Sequence, residues 1–211
     1  VQPKLDGIRC VNEGGTLMSR NGKPFISCPH LTQDEVTLDG ELYNHKFKED
    51  FNAIVSLVTR KNLKEDDLEK TKELVEFHCY DFPKFEGVFS KRYSALVKWV
   101  MSQNALAIQK GFKSPYILVP TFKIGDMKDL KHYHEMFLDM GFEGTIIRMD
   151  LGNYENKRSK QLLKYKDFID DEYLITGAIE GEGGRTGTIG KFVMQTKDGK
   201  VFNSNIKGDF K

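Results

Sequence analysis

Lys4-Leu5-Asp6-Gly7-Ile8-Arg9-Cys10-Val11-Asn12-Glu13-Gly14-Gly15-Thr16-Leu17-Met18-Ser19-Arg20 is the stretch from which the rest of the chain is read. Residues 5–12 and 16–20 have the texture of two strands, and Glu13-Gly14-Gly15 between them is a hairpin turn signal. A hairpin this early speaks for antiparallel sheet, because parallel strands need a long crossover. In a locally extended chain residues 4 and 6 point to one side, which sets an amine beside a carboxylate. Gly7 permits a turn or a close approach, and Arg9 adds a forked charge suited to phosphate. A lysine is a nucleophile only when unprotonated. With a reference pKa of ~10.4, the free amine at pH 7 is about one part in a few thousand. Burial and nearby cations would lower that value and activate it. The same six residues would serve equally as a turn with a surface ion pair.

Outward from this stretch, strands and helices alternate. Residues 36–43 read as a strand around Val36, Leu38 and Leu42, and Phe47, Phe51, Ile54, Val55 and Val58 recur at helical spacing. Val75, Phe77 and Cys79 alternate, and Pro83 closes that strand. Tyr93, Leu96, Val97, Val100 and Met101 mark an amphipathic helix that closes near Gly111. Residues 116–122 read as a strand. Asp126 caps a helix carrying Leu130, Tyr133, Phe137 and Met140, which Gly141 stops. Residues 143–148 and 161–166 are two further short strands. This interleaving with early hairpins predicts an α+β fold with much antiparallel sheet, not a doubly wound parallel one. Near Phe168 the texture changes. Asp170-Asp171-Glu172 reads as a linker, followed by β-rich runs at 173–179, 188–196 and 200–206 between Gly-rich turns. That pattern suits the start of a small barrel, which about 40 residues would not complete.

The bulk composition bounds the function. A length of 211 residues suits one medium domain plus a small second one. The formal net charge of +1 neither demands nor excludes nucleic acid. Lys157, Arg158, Lys160, Lys164 and Lys166 form a local basic cluster, while Glu65-Asp66-Asp67-Leu68-Glu69 reads as a solvated acidic face. No run of 18 apolar residues supports a membrane span. No signal peptide opens the chain. The missing initiator Met suggests a fragment. Cys10, Cys28 and Cys79 are odd in number and widely spaced, which fits a reducing compartment, hence an intracellular protein that is not secreted. Cys28-Pro29-His30 has the look of half a metal site, but nothing of ligand type is spaced to complete it, so these residues read as structural.

Four more pieces carry chemistry. In Leu38-Asp39-Gly40-Glu41-Leu42 a carboxylate ends an apolar strand, which is costly without a partner. Glu41 could bind a ribose hydroxyl or a metal, with Asp39 assisting. In Phe77-His78-Cys79-Tyr80-Asp81-Phe82, alternation sets Tyr80 opposite Phe77 and Cys79, so its ring could stack on a base. In Phe142-Glu143-Gly144-Thr145-Ile146-Ile147-Arg148, Glu143 is a hard oxygen ligand suited to Mg²⁺, and Arg148 could hold structure through an ion pair. In Leu162-Leu163-Lys164-Tyr165-Lys166 the two lysines face one way on a strand, an arrangement that suits phosphate and would depress the pKa of a third lysine.

Taken in order, Lys-x-Asp-Gly-x-Arg at 4–9, Asp-Gly-Glu at 39–41, Tyr-Asp-Phe at 80–82, Glu-Gly-x-x-x-Arg at 143–148 and Leu-Leu-Lys-x-Lys at 162–166 resemble the covalent nucleotidyltransferase superfamily. Ser19-Arg20-Asn21-Gly22 is similar to ATP-dependent DNA ligases within it, above all the small viral and bacteriophage ones. The likeness spans residues 1–168. It implies an ATP-grasp-like nucleotidyltransferase (adenylation) domain of mostly antiparallel sheets with flanking helices over 1–168, short of its N-terminal part. Residues 169–211 would then begin a truncated oligonucleotide-binding (OB-fold) barrel, with Gly181–Gly187 as its glycine-rich hairpin. It also implies the chemistry: Lys4 attacks the α-phosphorus of ATP, AMP passes to the 5′-phosphate of a nick, and the 3′-hydroxyl expels AMP. Asp6 and Arg9 would lie near the sugar and the nick, and Arg20 would grip the 5′-phosphate, with Arg158 as a further basic contact. Glu41 would meet the ribose and Tyr80 the adenine. Glu143, with Asp6, would serve a divalent ion such as Mg²⁺, and Lys164 and Lys166 would hold the α-phosphate. The expected partner is nicked double-stranded DNA, with a monomer as the default and no membrane. An RNA ligase, a capping guanylyltransferase and a non-catalytic nucleic-acid binding module are the competing readings. An NAD⁺-dependent ligase fits less well, because the scattered cysteines support no zinc-binding part.

Overall fold

A computed structural model describes residues 1–32, 35–157, 159–167 and 171–206. The hairpin forms at the predicted turn. β2 (Ile8–Glu13) pairs antiparallel with β3 (Thr16–Ser19). Gly14 and Gly15 both take positive φ, 55° and 73°, as a two-residue hairpin turn with right-handed strand twist requires.

The expected single strand over 5–12 is in fact divided. β1 (Gln2–Lys4) belongs to one sheet, and β2 opens another at Ile8. The chain crosses between the sheets at Leu5-Asp6-Gly7, so Lys4 and Asp6 do not share a strand face. Gly7 makes this crossing possible: a Cβ there would stand 2.7 Å from both Glu41 Cγ and the Leu42 carbonyl. The close approach read at Gly7 is therefore made by the protein's own strand.

β4 (Leu38–Tyr43), β5 (Glu76–Asp81) and β6 (Tyr116–Leu118) complete the larger sheet, in the order β3-β2-β4-β5-β6. Its one parallel pair is β5 with β6. The strand expected over 116–122 is shorter because Pro120, lacking an N–H, cannot extend the ladder. The smaller sheet has the order β1-β7-β8, all antiparallel, with β7 at Gly144–Arg148 and β8 at Leu162–Tyr165.

Among the described residues four helices flank these sheets. α1 (Phe51–Val58) starts where Asp50 accepts a hydrogen bond from the Ala53 N–H at 3.1 Å, after a short 3₁₀ turn at His45–Phe47. The acidic stretch read only as a solvated face is the first turn of α2 (Glu65–Leu74), where three carboxylates meet the positive end of the helix dipole. α3 (Phe89–Gln109) extends the predicted helix by a turn and covers β5 and β6. α4 (Met127–Asp139) is capped by Asp126 as read, through the N–H groups of Lys128 and Asp129, and packs against β1 and β7. A cluster of Leu5, Tyr43, Val119, Tyr80 and Phe142 joins the two sheets.

The chain divides into two compact units, Val1–Asp167 and Phe168–Lys211. The second holds one antiparallel sheet of β9 (Leu174–Glu180), β10 (Ile189–Gln195) and β11 (Val201–Asn205), in the order β11-β10-β9. The Gly-rich segment between β9 and β10 carries one 3₁₀ turn, Gly183–Arg185. Asp170 of the expected linker lies outside the described residues. No helix among the described residues is long and apolar enough to cross a membrane.

Gly40 sits mid-strand in β4, where a Cβ would come within 2.5 Å of both the His78 carbonyl and the Phe77 ring. Gly40→Ala is expected to cost about 1–3 kcal/mol through overpacking. Urea unfolding should show a lower midpoint at unchanged slope; an unmoved midpoint would mean that the sheet yields freely.

Candidate active site

Strand pairing sets the first contact. Lys4 ends β1 opposite Gly144, the first residue of β7. The Glu143 N–H donates to the Lys4 carbonyl at 3.1 Å, which brings the two side chains side by side. The Lys4 ammonium is bonded to Glu143 Oε2, and Lys166 Nζ reaches the other oxygen at 3.3 Å. Burial alone would raise the Glu143 carboxyl. Hydrogen bonds and charge from Lys4 and Lys166 outweigh it and hold the group below the usual carboxylate range.

Beside this trio lies a cavity of about 920 Å³, lined from both sheets by Lys4, Arg9, Arg20, Glu41, Tyr80 and Lys164 among others. Residues singled out in the sequence at widely separated positions are thus gathered around one space. Asp6, Glu143 and Lys166 do not line it; the last two join it through Lys4. The same-face reading of Lys164 and Lys166 needs correction: β8 ends at Tyr165, so only Lys164 is a strand residue, and Lys166 turns to Glu143. Arg158 lies outside the described residues.

Glu41 borders Lys4 at the cavity. Burial raises its carboxyl to about 8, against the opposing pull of Lys4, with Asp39 adding to the rise. Arg9 lines the cavity with its guanidinium fork engaged by a neighbouring carboxylate. Its Nε and Nη2 each donate to Asp39 at 3.0 Å, and Nη2 also reaches the Tyr154 hydroxyl at 3.1 Å. Tyr154 in turn donates to Asp39 at 2.8 Å.

Tyr80 lies opposite buried Phe77 and Cys79, as alternation predicted. Its ring borders the cavity, with the Arg148 guanidinium 5.0 Å from its centre. The same guanidinium lies 4.9 Å from the Phe89 ring. Arg148 holds structure through an ion pair: Nη1 donates to Asp81 at 2.9 Å and Nε to Gln2 at 2.9 Å.

Asp81 is the residue that sequence reasoning undervalued. Fully buried, it accepts from Arg92 Nε at 2.7 Å, Arg92 Nη2 at 3.1 Å, Arg148 Nη1 and the Phe82 N–H. Arg92 also donates to the Gly87 and Gly152 carbonyls. A signal was present. Alternation puts Asp81 on the buried face with Phe77 and Cys79, and Arg92 interrupts the buried stripe of Phe89 and Leu96 on α3. Two charges at apolar positions call for each other. Gln2 and Tyr154 gave no such signal. Cys28 and His30 are structural as read: the His30 ring meets the Val75 carbonyl at 3.2 Å. Among the described residues no three His, Cys, Asp or Glu form a metal cluster.

A lysine paired with a glutamate beside a basic, aromatic-lined cavity between two sheets is the arrangement of a covalent nucleotidyltransferase. The model of the ATP dependent DNA ligase domain matches residues 1–166, and the chain belongs to that family. It is 26 % identical to a DNA ligase of Haemophilus influenzae, covering 96 % of this chain and 72 % of the relative. It is also 26 % identical to a DNA ligase of phage T4, covering 95 % of this chain but only half of that protein. In fold it is similar to a solved structure described as a structure-function analysis of Lig E DNA ligases. The TM-score is 0.83 at 23 % identity, over 99 % of this chain and 77 % of that one.

The raised Glu41 carboxyl has a consequence for stability. Below its unfolded value of about 4.5 both states are protonated. As pH rises toward 8 the unfolded chain loses this proton while the folded protein keeps it, so stability falls across that window and levels off above it. Glu41→Gln should remove that decline. Urea unfolding at pH 5 and pH 8 checks this: wild type should lose on the order of a few kcal/mol more than the variant, and parallel losses would refute the assignment.

Proposed function

We propose that this chain is the catalytic core of an ATP-dependent DNA ligase that seals nicks in double-stranded DNA through a lysyl-AMP intermediate. The observation that carries this reading is the convergence of Lys4, Glu41, Tyr80 and Lys164 on one cavity, with Lys4 held by Glu143. Residues 1–168 are the adenylation domain, and residues 169–211, with three antiparallel strands, are the start of an OB-fold barrel. The division of the chain after Asp167 supports that boundary.

In the first step Lys4 Nζ, having lost a proton, forms a bond to the α-phosphorus of ATP, and the bond to pyrophosphate breaks. The residues around it supply position and charge, which is most of what phosphoryl transfer asks of a protein. Glu143 orients the amine. Lys164 and Lys166 hold the α-phosphate. Tyr80 offers adenine the ring face not covered by Arg148. Glu41, protonated up to about pH 8, hydrogen-bonds a ribose hydroxyl. AMP then moves from Lys4 to the 5′-phosphate of the nick, and the 3′-hydroxyl displaces it. Arg20 grips the 5′-phosphate and Arg158 adds a further basic contact. Asp6 and Arg9 face the sugar and the nick, Arg9 with its fork braced on Asp39.

A divalent ion, Mg²⁺ in our reading, would be held by the hard oxygen donors of Glu143 and Asp6, with phosphate oxygens and water completing its shell. Bound there it would neutralise phosphate charge. The three free, buried cysteines suit a reducing, intracellular setting, and we take the chain to act as a monomer.

The test is α-labelled ATP incubated with the complete protein and with Lys4→Ala. The wild type should take covalent label and the variant none; label retained on Lys4→Ala would sink the nucleophile assignment. GTP in place of ATP, and nicked RNA in place of nicked DNA, should label or seal poorly.

A further inference from the structure

One polar cluster lies beside the site yet touches none of the residues assigned to it above. His134, on α4, is buried. Its Nδ1 is 3.0 Å from Thr145 Oγ1, and its Nε2 is 3.2 Å from Asp167 Oδ1. Its ring stands edge-on to Tyr165 with centres 4.6 Å apart. A carboxylate only accepts, so Nε2 carries the proton, and in the neutral ring Nδ1 accepts from the threonine hydroxyl. A hydroxyl, an imidazole and a carboxylate in series have the order of a nucleophilic triad. Thr145, however, has no exposed surface and cannot meet a substrate.

What the cluster does touch is informative. Thr145 is two residues past Glu143. Tyr165 lies between Lys164 and Lys166, and Asp167 follows Lys166. The β7–β8 ladder ends with the pair Thr145–Tyr165, so Lys166 lies just beyond it. A Cβ on Gly144 would stand 2.7 Å from the Tyr165 carbonyl and 3.0 Å from Lys166 Cβ, which shows how closely the two strand ends approach. The contact from His134 to Asp167 thus reaches the residue that follows Lys166, past the point where the ladder has stopped. Asp167 itself is 68 % exposed.

The structure assigns His134 and Asp167 as positioning residues for Lys166, and through Glu143 for Lys4. Neither meets the nucleotide. His134 holds β7 by Thr145 and the end of β8 by Asp167, and so sets the distance at which Lys166 and Lys4 share Glu143. This assignment rests on the ligase reading above.

The experiment measures the single-turnover rate of lysyl-AMP formation in the complete protein, with unfolding midpoints taken in parallel. Asp167→Ala removes the outer half of the clamp at an exposed position and should slow adenylylation about 10-fold, as a misplacement of under 1 Å does, without moving the midpoint. Asp167→Asn keeps an oxygen acceptor for Nε2 and should stay near the wild-type rate. His134→Phe keeps the ring against Tyr165 and should slow the step like Asp167→Ala, while His134→Gln, which retains a donor, should recover part of the rate. Wild-type speed in Asp167→Ala, or an equal loss in Asp167→Asn and Asp167→Ala, overturns the assignment. A wild type that takes no label would instead remove the ligase reading itself, and this inference with it.

Discussion

Asp81 is a carboxylate with no exposed surface, held between two guanidinium groups that are themselves almost buried. A buried charge is tolerable only when every lone pair is answered, and here two arginines and a backbone N–H answer it. The consequence is architectural. Arg92 brings α3 and the Gly87 and Gly152 carbonyls to β5, and Arg148 brings β7 and, through Gln2, β1. The two sheets meet where these bonds converge, and the cavity lies there. Two positive groups against one negative leave that region with surplus positive charge, which suits a polyphosphate.

Around Lys4 two carboxyl groups stand in different environments, which push them apart. Glu143, bonded to two lysines, remains ionised. Glu41, half-buried on β4 and desolvated there, holds its proton to about pH 8. One carboxyl thereby acts as a counter-charge and the other as a neutral hydrogen-bonding group. Such divergence between neighbouring carboxyls is how a site assigns different tasks to like residues.

Much of this was legible in the order of residues. Gly14-Gly15 announced the hairpin because only positive φ at both positions suits that turn. Asp126 announced α4 because its carboxylate has no better use than the free N–H groups beside it. Residues from all five motifs gather at or beside one cavity, and Arg148 forms the ion pair read for it. The failures share a cause. Lys4 and Asp6 were placed on one strand face, but Gly7 turns the chain from one sheet into another. Arg9 was read for its forked charge, but its partner Asp39, 30 positions away and on the neighbouring strand β4, was not visible in the sequence. Lys164 and Lys166 were given one face, but the ladder ends between them.

By itself the sequence determined the inventory: which amine, which carboxylates, which aromatic ring, and in what local backbone each would sit. Periodicity and capping are short-range effects, and they are written in neighbouring residues. Only the tertiary structure decided the partners. Asp81 with Arg148, Arg9 with Tyr154 and His134 with Asp167 lie 67, 145 and 33 positions apart. A buried charge fixes that it must be paired, but strand order and helix packing choose by which side chain, because those set the few ångströms over which a hydrogen bond exists.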